Sequence, residues 1–260
     1  MKVFQILLLS VLFLQCKKEE KISDGITFQY DKSIMMTFQA FDEGYGEIGR
    51  KILYIGVKPS KIPVKYYFSG MAPSPAPPKE EHDYKPTLQS IQRDSLISKY
   101  FKGYLNFDSD YKNTKYDSLN NKNFSLNANY KDTIPLYTIL LDKNITKAYY
   151  SFPVIIKNIS TRDLRLSGFS MSIAYEVLNH NKKWQVIYNS DSTESCCFCG
   201  DQGPGFLLER ETYMVMSIPY LHGNFKTKMR IRFGYAISDE FDASVDSEIF
   251  KKQHEAIFIK

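Results

Sequence analysis

Three of the four cysteines stand within four positions, Cys196-Cys197-Phe198-Cys199, ahead of the loop sequence Gly200-Asp201-Gln202-Gly203-Pro204-Gly205. Thiols this dense can close one disulfide, Cys196–Cys199 or a neighbouring pair, that staples the loop and leaves one thiol over. As thiolates they can instead ligate a soft metal such as Cu(I) or Zn. Redox exchange is the third chemistry open to them. A closed zinc site needs four ligands, and the two nearest histidines, His180 and His222, are distant in the chain. A stapled loop is the plainest expectation, and a soft-metal site through Cys196, Cys197 and Cys199 is its alternative.

Other motifs fail on their physics. Gly44-Tyr45-Gly46-Glu47-Ile48-Gly49 fits the letters of a dinucleotide-binding turn. That turn needs a helix N-terminus to receive pyrophosphate, whereas Lys51–Val57 reads as a strand. A hairpin turn using glycine for positive φ is the better account. Asp108-Ser109-Asp110 begins like a calcium loop, but Lys112 stands where an oxygen ligand belongs and no glycine turn follows. The histidines His82, His180, His222 and His254 are scattered. No H-E-x-x-H or G-x-S-x-G occurs, so a catalytic role is not expected and neither is a cofactor. A hydrolase built on two carboxylates leaves no fixed spacing and stands as a further alternative.

The elements that would carry these residues are mostly strands. Met171, Ile173, Tyr175 and Val177 alternate with Ser172, Ala174, Glu176 and Leu178. Trp184, Val186 and Tyr188 alternate with Lys183 and Gln185, and Met229, Ile231, Phe233 and Tyr235 with Lys228, Arg230, Arg232 and Gly234. Period-two alternation predicts strands with one wet and one buried face. Tyr149–Lys157 and Tyr213–Ile218 add two more. Strands at this spacing over residues 145–260 predict an all-β, immunoglobulin-like β-sandwich. Upstream, Ile26–Tyr30, Ile34–Phe41, Arg50–Val57 and Pro63–Ser69 predict short strands. Residues 71–86 are too Pro-rich for regular structure, and Leu88, Ile91, Leu96 and Tyr100 predict a helix over 88–100. Residues 104–130 read as a polar excursion. The expected organisation is two β units joined near 131–145: residues 26–130, carrying a loop-rich insertion at 71–130, and residues 145–260.

The N-terminus reads as a signal peptide over residues 1–15. Lys2 precedes an apolar run, Val3 to Leu14, that is too short to span a bilayer at roughly 20 residues. The stretch Phe13-Leu14-Gln15-Cys16 resembles a lipobox, with Gln15 departing from the usual small residue. The resemblance implies that Cys16 becomes the first mature residue and carries the lipid, with residues 16–25 as a tether. More than one acyl chain then gives stable anchoring to the lipid bilayer. Lys17-Lys18-Glu19-Glu20 resembles the export signal of Bacteroidota surface lipoproteins. The run Phe152–Ser160, then Trp184, then Gly223–Arg230 resembles a recurring pattern in envelope lipoproteins of the same phylum. That likeness implies a fold and an outer-membrane location, on the surface or periplasmic side, and no activity. Asp94-Ser95-Leu96, Asp117-Ser118-Leu119, Asp132-Thr133-Ile134 and Asp191-Ser192-Thr193 resemble the O-glycosylation pattern of that group, which makes Ser95, Ser118, Thr133 and Ser192 candidate acceptors.

Composition agrees with this outline. A hydrophobic fraction of 43% suffices for a core, and 19 Tyr with 18 Phe suit pleated, half-buried positions. The net charge of +5 is dispersed without a Lys/Arg block, so no nucleic-acid partner is expected. The expected function is a binding or assembly module of the cell envelope with a protein or glycan partner.

Overall fold

The computed structural model describes residues 21–40, 51–68, 87–105, 115–140, 145–167, 173–187 and 205–251. In chain order the first elements are β1 (Thr27–Gln29), β2 (Ile52–Gly56), β3 (Lys61–Pro63), β4 (Tyr66–Phe68), the helix α1 (Leu88–Tyr100) and β5 (Phe101–Tyr104). Next come β6 (Phe124–Ala128), β7 (Ile134–Leu140), β8 (Ile145–Asn158), β9 (Leu164–Ser167), β10 (Ile173–Leu178) and β11 (Trp184–Ile187). The last are β12 (Gly205–Leu208), β13 (Tyr213–Pro219), β14 (Phe225–Phe233), β15 (Ala236–Ile237) and β16 (Phe241–Val245). The architecture is all-β and sandwich-like. Among the described residues no helix is long and apolar enough to cross a membrane.

β8 organises the first sheet, whose order is β2-β13-β8-β6 with β7 also on β8. β13 runs antiparallel along one edge, Tyr213 opposite Lys157 and Pro219 opposite Ser151. The other edge takes two partners in succession, β6 opposite Val154–Asn158 and β7 opposite Ile145–Ser151. The break between them falls beside Pro153, whose ring leaves no N–H for a ladder bond. Its carbonyl is still satisfied, by the Asn129 amide at 3.0 Å.

Both faces of this sheet are covered. On one side Phe152, Val154, Ile156 and Met216 pack in one cluster with Val177 and Ile231 of the second sheet. Phe124 of β6 stacks on Phe233 of β14 at 5.7 Å between ring centres. On the other side Leu53, Ile155 and Val215 pack against Ile26, Ile62 and Phe101. Those residues belong to a layer built from the short parallel pairs β1–β3 and β4–β5. Every residue of β13 is therefore buried. The second sheet runs β11-β10-β14-β15, with β16 beside the first half of β14.

This arrangement differs from two units joined near 131–145. β2 pairs directly with β13 and β6 with β8, so strands from both halves complete one sheet. Part of the stretch expected as a polar excursion is core, with Leu105, Leu119, Phe124 and Leu126 all buried. The described part of Ile34–Phe41 makes one isolated parallel bridge, Thr37 to Tyr149, because β13 already holds the β8 edge as far as Ser151. The helix over 88–100 is present, capped by the Thr87 side chain, which accepts from the Ser90 amide.

One buried amide ties the β8–β9 turn to the β12–β13 turn. Asn158, fully buried, directs Nδ2 at the carbonyls of Arg162 (3.0 Å), Leu208 (3.0 Å) and Glu209 (3.1 Å). Its Oδ1 accepts from the Ser160 amide at 2.9 Å and hydroxyl at 2.7 Å. Asn158→Ala strands these partners and should cost about 2 kcal/mol. Urea unfolding measures it, and a loss within the error of the wild type would mean the turns are held by something else.

Candidate functional site

The sequence of β14, Phe225-Lys226-Thr227-Lys228-Met229-Arg230-Ile231-Arg232-Phe233, writes two faces in alternation. Met229, Ile231 and Phe233 are fully buried in the core between the sheets. Lys226, Lys228, Arg230 and Arg232 therefore point to the outer face, roughly 7 Å apart, in a row about 20 Å long.

Two carboxylates face this row. Glu176 of β10 stands directly opposite Arg230 and is 2% exposed. It accepts from Arg230 Nε at 2.5 Å, from Arg232 Nε at 2.6 Å and from Arg232 Nη2. The Arg230 guanidinium also lies over the Trp184 ring, 4.2 Å from its centre. Charge-assisted bonds and ring contact together fix both arginines in place. Asp242 of β16 stands opposite Lys228 and pairs with its Nζ at 2.7 Å. That hydrogen bond raises the Lys228 pKa, aided by the Asp242 and more distant Glu240 charges, so the ammonium stays charged well above neutral pH. Four cations thus face two carboxylates on one side of the sheet.

At the lysine end the surface opens into a cavity of about 630 Å³. Tyr130, His180 and Phe225 line it, and Tyr130 and Phe225 pack against the core between the sheets, on the side of β14 away from the Lys226 and Lys228 side chains; Lys182 and Asp242 are also at its rim. His180 packs on Phe225 at 4.1 Å between centres. Lys182 sits at φ 57 in the β10–β11 turn, where Asn179 Oδ1 accepts from the Asn181 and Lys183 amides and holds the reversal. Tyr130 comes from the β6–β7 break. Burial first, then the neighbouring Tyr220, pushes its phenol up to about 12, so it remains a neutral hydroxyl. A concavity of this volume with aromatic rings in its wall can receive an organic ligand, and the charged outer face of β14 can meet an anionic one.

The residues singled out by sequence are dispersed. Cys16, Cys196, Cys197, Cys199 and Ser192 lie outside the described residues, as do Gly44–Gly49, Asp108–Asn113, His82 and His254. Ser95 is exposed on α1, and Ser118 is exposed just before the buried Leu119. Thr133 is half-buried, with its hydroxyl 3.3 Å from that of Tyr220. His222 is exposed and stacks on Phe38 at 4.1 Å, whereas His180 packs on Phe225. Among the described residues no group of His, Cys, Asp and Glu could hold a metal ion. Glu176, Arg230 and Arg232 were visible in sequence only as members of wet strand faces, and pairing them required the register; Trp184 was expected on a buried face, but the register sets it opposite Leu178, on the outer side with Glu176. No protein-family model, curated protein or solved structure matches the chain.

Proposed function

We propose that this chain is a cell-envelope lipoprotein, held in the outer-membrane bilayer by an acylated Cys16, whose β body is a binding or assembly module. The observation that carries the binding role is the row of Lys226, Lys228, Arg230 and Arg232 on the outer face of β14. The apolar run Val3–Leu14 ending at Cys16 supports the anchor. The partner approaches the outer face of the second sheet, opposite the layer that carries α1.

Two measurements test this reading. Cys16→Ala removes the acylated thiol and should move the protein from the membrane to the soluble fraction; retention in salt-washed membranes would end the anchor reading. A photo-crosslinking residue at Lys226 should give a discrete adduct in intact envelopes, while one at Ser95 on α1 should not. Labelling at Ser95 alone, or at neither position, would remove the binding role from this face.

A further inference from the structure

We infer that the loop Val57-Lys58-Pro59-Ser60 rests on the anionic headgroups of the bilayer, so that the N-terminal layer faces the membrane and β14 faces away from it. This rests on the lipid-anchor reading above and adds an orientation to it.

The length of the tether is the first argument. Only five residue steps separate Cys16 from Lys21, where the described chain begins. Even fully extended they span at most about 18 Å, so whatever stands beside Lys21 is held within that distance of the anchor. The chain turns at once, the Asp24 amide donating to the Lys21 carbonyl at 2.9 Å and the Ile26 amide to that of Ser23 at 3.2 Å. Thr27 then donates to the Ser60 carbonyl twice, from its amide at 3.0 Å and from its hydroxyl at 2.9 Å. The end of the tether and the loop 57–60 thus form one corner of the molecule.

That corner has the chemistry of a headgroup contact. Val57 is 74% exposed although it is apolar. Its position is fixed, because Tyr54 Oη donates to the Val57 carbonyl at 2.8 Å. Gly56 makes this possible: it stands at φ 148, and a Cβ there would come within 2.8 Å of the same phenol oxygen. Lys21, Lys58 and Lys61 are exposed around Val57, and the only carboxylate of residues 21–26 and 57–61 is that of Asp24. Thr27, Gln29, Lys61 and Pro63, the exposed positions of the β1–β3 pair, add no acid. A lysine close to an anionic surface strengthens membrane binding on the order of fivefold. A projecting apolar side chain can enter the headgroup region beside it. A second copy of the chain would present the same three lysines and repel this corner, whereas a surface of phosphate groups complements it.

The stacking of layers carries the consequence to the far side. Packed sheets stand about 10 Å apart, which sets β14 roughly 20 Å farther from the bilayer than the N-terminal layer. Its cation row then looks outward, where a partner can reach it.

The test reconstitutes the acylated full chain in vesicles of phosphatidylcholine mixed with phosphatidylglycerol, with a spin label on some of the headgroups. A fluorescent coumarin amino acid replaces Val57 in one variant and Lys226 in another. The reporter at 57 should be strongly quenched, and the reporter at 226 should keep the intensity it has without spin label. Lys21→Glu/Lys61→Glu, combined with the reporter at 57, should cut that quenching at least about twofold, because it reverses two of the three charges. Vesicles of phosphatidylcholine alone should lower it in the same way. Equal quenching at both positions would mean a body that swings freely on its tether and would overturn the inference, as would stronger quenching at 226. Quenching at 57 that ignores both the charge reversal and the lipid charge would overturn it too, since the tether alone would then account for the position. Protein that floats with the vesicles while the reporter at 57 stays bright would overturn the orientation and leave the anchor standing. Protein that does not float would overturn both.

Discussion

Glu176→Ala should destabilise the protein by about 3 kcal/mol. The carboxylate is 2% exposed and is the shared acceptor of Arg230 and Arg232, whose side chains are only 22% and 24% exposed. Removing it leaves two guanidinium groups facing each other with their charge-assisted bonds unmade and much of their water already gone. Chemical unfolding followed by fluorescence of Trp184, the chain's single tryptophan, is the direct measurement. The clamp is costly to break rather than a large source of stability, because burying three charges offsets most of their attraction. The triple variant Glu176→Leu/Arg230→Met/Arg232→Met should therefore recover most of the loss. A single variant within about 0.5 kcal/mol of the wild type would show that the arginines find other partners, and the clamp would not be structural.

Ile155→Ala and Ile156→Ala should each cost about 2–5 kcal/mol. Neighbours along a strand point to opposite faces, so a sheet with one solvated side would tolerate one of the two changes. Here both are fully buried, Ile155 against the N-terminal layer and Ile156 between the two sheets. Each truncation opens a cavity in a separate cluster. Denaturant midpoints of the two variants decide the matter. If Ile155→Ala were near neutral, the layer of β1, β3, β4 and β5 would not be packed on the central sheet.

The second sheet was legible in the sequence because its outer face is wet. Alternation in 173–178 and 228–233 survives because one side of each strand keeps its polar residues, whereas in 184–187 the expected faces are reversed, with Ile187 buried and Trp184 and Val186 on the outer side. The central sheet gave weaker signals. Val154-Ile155-Ile156 and Tyr213–Ile218 read as strands, and their continuity is the mark of burial on both faces. Which segments supply the two covering layers depends on long-range pairing, and local pattern carries none of that. β6 illustrates the limit, with Phe124, Leu126 and Ala128 its only apolar residues in an Asn-rich stretch and a partner, Val154–Asn158, well downstream. α1 was legible from the spacing of Leu88, Ile91, Leu96 and Tyr100. In the candidate site the polar side of β14 could be read as solvent-facing, but its meaning comes from Glu176, which only the β10–β14 register sets opposite Arg230.

The pairing of Ile52–Gly56 with Tyr213–Pro219 also sets the order in which the chain can assemble. The strand that closes this edge is made early, and the strand it needs emerges some four-fifths of the way along the 260 residues. Until then Leu53 and its neighbours have no sheet to join, and the apolar surface of β8 lacks a cover on that side. Contacts this far apart in sequence make folding slow and leave sticky edges exposed meanwhile. A chain built this way gains from protection of these edges until β13 has been made.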